Sequence, residues 1–200
     1  MKFLNPSVLL STTLVLTAIS GTTPQVTQAV QLRDGTVYFV QPPDLVAATT
    51  TVNGVSAWGA TYYFTINIPK NADEPLQRVT ITQRGGSDNV RFRLDDSRAF
   101  EGTRDRRGTQ LTLGEVTRDC TKCSARGDRD TRTVNVTLDP PVAPGRTITI
   151  GLRPVRNPLF SGVYLFGVTA FPPGEKAHGQ FLGFGRFHFY GNDRPFFMWR

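Results

Sequence analysis

Cysteine, histidine and helical periodicity are all scarce in this chain, and each scarcity removes a class of protein. Two cysteines in 200 residues rule out a fold held by a disulfide framework, so folding rests on an ordinary apolar core. The two histidines, His178 and His188, are far from the cysteines in sequence, which leaves any zinc site short of four ligands. No nucleophile motif is placed to use either histidine, and both are expected to be structural. No phosphate-binding loop is present, so the residues imply no cofactor, no metal and no assigned catalytic group. Beyond the amino terminus, no apolar run reaches the roughly 20 residues of a membrane-crossing helix. No integral span is therefore expected in the mature form.

The amino terminus reads as a secretory leader. Lys2 supplies a short positive region, and Val8 to Ile19 is an apolar run diluted by Ser11, Thr12, Thr13 and Thr17, too short and too polar to cross a bilayer. Thr27 and Ala29 put small residues where a signal peptidase reads them; Ala18 with Ser20 offers an earlier site. Cleavage after Ala29 is expected, giving a leader over 1–29 and one domain over 30–200. The compartment is then outside the cytoplasm: periplasm or medium, with a thylakoid lumen left open. The net charge of +7 is mostly an arginine excess, which suits anionic partners through bidentate contacts. Export makes nucleic acid an unsuitable one, and leaves anionic polysaccharide, another envelope component, or plain solubility.

What the chain does contain is a two-residue rhythm. Tyr62, Phe64, Ile66 and Ile68 alternate with more polar neighbours until Pro69 ends the run, the signature of a half-buried strand. Val79 and Ile81, then Val90, Phe92 and Leu94, repeat the pattern on either side of a Gly-rich turn at Arg84 to Asn89, which predicts a hairpin. A second hairpin is expected from Val134 to Leu138 and Ile148 to Leu152. Gly162 to Phe171 is apolar on both faces, as in an inner strand, and Gln180 to Tyr190 is its expected partner. In that partner Phe181, Phe187 and Phe189 share a face with Gly183 and Gly185, whose missing side chains suit a bulge or the close approach of an aromatic ring. Val37 to Val40 reads as a short first strand, with a weaker one near Ala47 to Val52. Residues 95–131 read as one long polar loop, with a helical turn conceivable only at Asp96 to Glu101. Short strands, Gly and Pro turns and no interleaved helices predict an all-β fold: an immunoglobulin-like antiparallel β-sandwich with Greek-key connections. An outer-membrane barrel also alternates, but these runs are shorter than its spans and broken by prolines.

Few side chains offer chemistry. Cys120 and Cys123 sit in the polar segment, and in an oxidising compartment a local disulfide is expected, with a redox pair as the weaker reading. Asp95 and Asp96 are adjacent, unlike a glycosidase pair assembled across a cleft. Arg78, Arg91 and Arg93 would share one outward face if the first hairpin forms, and that face can hold an anionic glycan. Tyr62 and Trp58 are expected in the core. Residues 191–200, ending PFFMWR, form an aromatic tail that docks on the sandwich or mediates association.

Five stretches carry a resemblance: VYFVQPP (Val37 to Pro43), Trp58 to Gln83, AFEGT (Ala99 to Thr103), Leu138 to Pro158 and GVYLFGVTAFPPGEKAHGQFLGFGRFHFY (Gly162 to Tyr190). Together they resemble the cyanobacterial domain of unknown function 2808 family. That resemblance implies a small secreted or envelope-associated protein and supplies no catalytic or ligand residues. The CTKC segment and the tail beyond Tyr190 fall outside it. A non-enzymatic binding or structural module is thus expected, with a hydrolase of envelope polymers using carboxylates of Asp95 to Glu115, or an assembly subunit using the tail, as alternatives.

Overall fold

The computed structural model describes residues 35–119 and 132–191. Ten strands form two five-stranded sheets. The first sheet has β1 (Asp44–Thr50), β2 (Tyr62–Asn67), β8 (Thr147–Pro154), β4 (Phe92–Gly102) and β5 (Arg107–Leu111) in that spatial order. The second runs β10 (Gln180–Phe189), β9 (Gly162–Phe171), β3 (Leu76–Gly85), β7 (Thr133–Val142) and β6 (Leu113–Asp119). Every pairing is antiparallel. Among the described residues there is no helix, and the expected β-sandwich is what the chain forms.

Alternation decides which side chains enter the core. Tyr62, Phe64 and Ile66 of β2 and Ile148, Ile150 and Leu152 of β8 point inward from the first sheet; Val79, Ile81, Val136, Phe166 and Phe187 meet them from the second. All are at most 2% exposed, and full burial is worth about 1.5–3 kcal/mol for each large apolar side chain. Tyr62 lies at the centre, stacked on Phe187 at 4.8 Å and meeting Phe92 edge-on at 5.6 Å.

The β9–β10 hairpin forms as its pattern predicts, and its glycines do what their placement suggests. A register shift lies between Phe181 and Gly183, where Gly183 adopts a φ of +127°. This bulge moves Phe181 out of step with Phe187 and Phe189, so Phe181 faces solvent while the other two are buried. At Gly185 a Cβ would lie 2.8 Å from the Ala48 Cβ and 3.0 Å from Phe64 Cε1, so only glycine lets β10 approach β1 and β2 this closely.

Four expectations are corrected. The two predicted hairpins, β3 with β4 and β7 with β8, are instead connections between sheets: β3 pairs with β7 and β9, and β8 with β2 and β4. Alternation is identical for a strand that turns back beside its predecessor and one that crosses to the facing sheet, so pattern alone cannot separate the two. Asp96 to Glu101 is strand, and the supposed polar loop supplies most of β4 together with β5 and β6. These are edge or half-exposed strands, whose outward side chains are polar or charged and hide the alternation. Val37 to Val40 gives only an isolated bridge, Val37 to Ala177, although Val37 and Phe39 are buried. Trp58 is 68% exposed and lies outside the core. The leader, Cys120, Cys123 and residues 192–200 lie outside the described residues.

Candidate functional site

The three arginines singled out from the sequence do not share a face. Arg78 projects from β3 on the outer face of the second sheet, its guanidinium 4.2 Å from the centre of the Phe171 ring. Arg91 and Arg93 stand at the start of β4 in the first sheet, because the Gly85 to Val90 connection carries the chain across the sandwich. All three are exposed.

Around Arg91 and Arg93 the fold gathers further cations that are distant in sequence. Arg93 of β4 lies directly opposite Arg153 of β8. Their side chains are 52% and 39% exposed, and the single Asp96 carboxylate stands between them at 3.8 and 3.7 Å. Arg118 reaches over from β6 in the other sheet and donates to the Phe92 carbonyl. Beside Arg91 is a cleft of about 200 Å³ that also takes in Arg156 and Asp88. It is smaller than the roughly 300–1,000 Å³ of sites that enclose whole small molecules, and suits a single charged group. Five arginines thus surround one end of the β4–β8 pair with three aspartates, Asp88, Asp95 and Asp96.

The floor beneath them is built from buried hydrogen bonds. Asn157 is fully buried; its Oδ1 accepts the Tyr62 hydroxyl at 3.0 Å, and its Nδ2 donates to the carbonyls of Val52 at 3.0 Å and Gly54 at 2.8 Å. Burial, and then the neighbouring Tyr164, pushes the Tyr62 phenol far above its ordinary value, so it remains a donor throughout the neutral range. The Asp88 carboxylate is occupied by backbone, accepting the N–H groups of Asn89 at 2.8 Å and Leu159 at 3.0 Å. These bonds tie the Asp88 turn and the Asn157 segment together, and hold Arg91 and Arg156 on a fixed frame.

Of the carboxylates proposed for hydrolysis, Asp95 and Asp96 line one cleft with Arg93 and Arg118, while Glu101 lines another. Asp96 is held between two arginines, and Glu101 accepts two hydrogen bonds from Arg146 at 2.8 and 2.9 Å. No group of three or more metal-ligating side chains occurs among the described residues. His178 and His188 are both exposed. Arg153, Arg118 and Arg156 escaped the sequence reading. Arg153 does alternate with Leu152 and Pro154, but its partner strand could not be named without the β4–β8 register.

The fold and this basic end define an immunoglobulin-like β-sandwich whose polar chemistry lies on its outer surfaces and end. The chain belongs to the family described as "Protein of unknown function (DUF2808)", whose model matches residues 36–189. No match is found among curated proteins. Similar solved structures include the collagen-binding domain of a Staphylococcus aureus adhesin, with 10% identity, 66% of this chain and 87% of that one covered, and a TM-score of 0.34. A putative membrane-anchored protein from Corynebacterium diphtheriae is 10% identical, with coverage of 79% and 38% and a TM-score of 0.42. A cohesin module from a Clostridium perfringens family 33 glycoside hydrolase is 12% identical, with coverage of 74% and 98% and a TM-score of 0.31.

Proposed function

We propose that this protein is an exported envelope module that binds an acidic polysaccharide without transforming it, through the arginines around the β4–β8 end. The observation that carries the reading is the Arg93–Arg153 pair. Like charges directly opposite on neighbouring strands destabilise a sheet, and Asp96 neutralises only one of the two. A polymer carboxylate or sulfate supplies the missing counter-charge, and guanidinium groups bind such anions through paired hydrogen bonds. Arg91, in the adjoining cleft, extends the same field to a second anionic group.

Export is supported by the leader pattern of Lys2, Val8 to Ile19 and Ala29. Fractionation with intact-mass measurement tests it, and an unprocessed amino terminus on protein recovered from the cytoplasm would count against it. The binding reading is tested by affinity electrophoresis in polygalacturonate with dextran as the neutral comparison. Arg93→Ser with Arg153→Ser should weaken retardation by polygalacturonate about tenfold at low salt, the equivalent of roughly 1.4 kcal/mol, and added NaCl should reproduce much of that loss. Retardation unchanged in the double variant would refute the site.

A further inference from the structure

The outward aromatic side chains are treated differently on the two sheets. On the first sheet, Tyr63 and Phe100 point away from the core yet are only 4% and 5% exposed. Arginines of the β4–β5 hairpin lie across them: Arg107 is 5.5 Å from the Tyr63 ring and 5.2 Å from Phe100, Arg104 is 5.7 Å from Tyr63, and Arg107 also donates to the Tyr63 hydroxyl at 3.0 Å. On the second sheet, Phe181 and Phe184 are each 55% exposed. Their rings are 5.0 Å apart with planes at 68°, a corner with one wall for the face of a flat ligand and one for its edge.

This corner is built into the strands. The bulge before Gly183 turns Phe181 outward, and Gly167 lies beneath both rings, where a Cβ would be 3.2 Å from Phe181 and 3.6 Å from Phe184. The Arg84 stem packs over the same glycine, its Cγ 3.5 Å from that Cβ position. Alongside run hydroxyl and amide groups paired across strands: Thr80 donates to Asn135 at 2.7 Å, and Thr82 and Thr133 are 3.0 Å apart. The sequences of β3, β9 and β10 contain no aspartate or glutamate, while Arg78, Arg84, Arg186 and His188 all stand on them. An exposed apolar corner, hydrogen-bonding groups beside it and arginines on strands that carry no carboxylate define the ligand chemistry. Pyranose rings offer apolar C–H faces to aromatic rings, and acidic sugars add carboxylates for the arginines.

We propose that the outer face of the second sheet is a glycan-binding surface, in which Phe181 and Phe184 stack against the pyranose rings of an acidic polysaccharide and Arg84 pairs with its carboxylates. It goes beyond the arginine site at the β4–β8 end and is independent of it, since the two share no residue.

The test is affinity electrophoresis of the full chain in polygalacturonate and in dextran, with sedimentation velocity run in parallel. Wild type is compared with Phe181→Ser/Phe184→Ser, with Arg84→Ser, and with Arg93→Ser/Arg153→Ser; urea unfolding verifies that each variant is folded. The phenylalanine variant should bind polygalacturonate about tenfold more weakly and lose the part of the retardation that survives 0.5 M NaCl, on the order expected for losing aromatic anchors. Arg84→Ser, which leaves the aromatic pair in place, should keep that salt-resistant part and lose salt-sensitive retardation. Wild-type retardation by the phenylalanine variant overturns this proposal even if Arg93→Ser/Arg153→Ser fails to bind, and the converse result overturns only the arginine site. Equal retardation in dextran overturns the acidic class of ligand. A self-association abolished by Phe181→Ser/Phe184→Ser, with polymer binding unaltered, makes the occupant a second copy and likewise overturns the proposal.

Discussion

Replacing Tyr62 by Phe removes one oxygen from the centre of the sandwich and tests whether the floor under the arginines is held as described. The hydroxyl donates to Asn157 Oδ1 at 3.0 Å in a fully buried site. Its loss strands a buried acceptor, at about 1–3 kcal/mol. Asn157→Ala strands the phenol and frees the carbonyls of Val52 and Gly54. Those carbonyls belong to a partly exposed segment and can recruit water, so the expected cost is about 3 kcal/mol. Against a total stability of about 5–15 kcal/mol, both are measurable by urea unfolding as a lower midpoint with an unchanged slope. The double variant should cost about 1–2 kcal/mol less than the sum, because the two side chains share one bond. The phenol also links stability to alkaline pH. Burial raises its folded-state value above the unfolded one, so its contribution is complete below the unfolded pKa of about 10 and is lost as pH rises beyond it. Tyr62→Phe should flatten that alkaline decline. Strict additivity in the cycle, or a Tyr62→Phe protein as stable as wild type, would refute the reasoning.

Three further substitutions test separate features. Gly185→Ala places a methyl group 2.8 Å from the Ala48 Cβ, and should cost about 1–3 kcal/mol as overpacking, read as a lower melting temperature; a stabilised variant would show that β10 can move away from β1. Asp96→Asn leaves Arg93 and Arg153 without their shared carboxylate. With all three side chains more than a third exposed, the stability change should stay below about 1 kcal/mol, while retardation by polygalacturonate at low salt should increase; weaker retardation would argue against the arginine site. Glu74 is 4% exposed, and its Oε1 makes no hydrogen bond. Burial, and then the neighbouring Asp73, raises its pKa, so the folded state holds its proton more tightly than the unfolded chain. Its contribution is therefore full below the unfolded pKa of about 4.3 and falls as pH rises through the folded value. Glu74→Gln should gain stability relative to wild type between acid and neutral pH in denaturation curves; a pH-independent difference would contradict this.

The inward half of the molecule could be read in advance because burial imposes a period of two on strands such as Tyr62–Asn67 and Thr133–Val142. Pairing could not. Arg93 and Arg153 are 60 residues apart in sequence, and only the β4–β8 register puts them face to face. The same limit produced the misplaced Arg78: its alternation with Val79 is correct, but its sheet depends on which way the Gly85 to Val90 connection leads. Strands β5 and β6 were missed for a different reason. RGTQL and LGEVTRD have few apolar positions, because an edge strand has less core to cover and gains from charge that blocks pairing with other chains. Phe181 is the subtlest case. Its parity matches Phe187 and Phe189, and only the register shift beside Gly183 reverses its direction.

That reversal bears directly on what the protein presents to a partner. Had β10 kept a regular ladder with Leu182 paired in it, Phe181 would point into the sandwich, which Tyr62, Phe64, Phe166 and Phe187 already fill with rings 4.8–6.1 Å apart. The bulge therefore relieves the core and creates the exposed corner in one step. On the first sheet the fold spends Arg104 and Arg107 covering Tyr63 and Phe100; on the second, Arg84 packs beside Phe181 and Phe184 over Gly167 and leaves both rings open. Deleting Leu182 separates the bulge from the direction of Phe181, because without that unpaired residue Phe181 stays opposite Thr169 and outward in a regular ladder. The deletion should lower the unfolding midpoint by at most about 3 kcal/mol, through loss of the Leu182 side chain that packs against the core, and leave the salt-resistant retardation by polygalacturonate in place. Retardation reduced to the level of Phe181→Ser/Phe184→Ser would show that the outward direction of Phe181 is not enough and that the bulge itself shapes the corner.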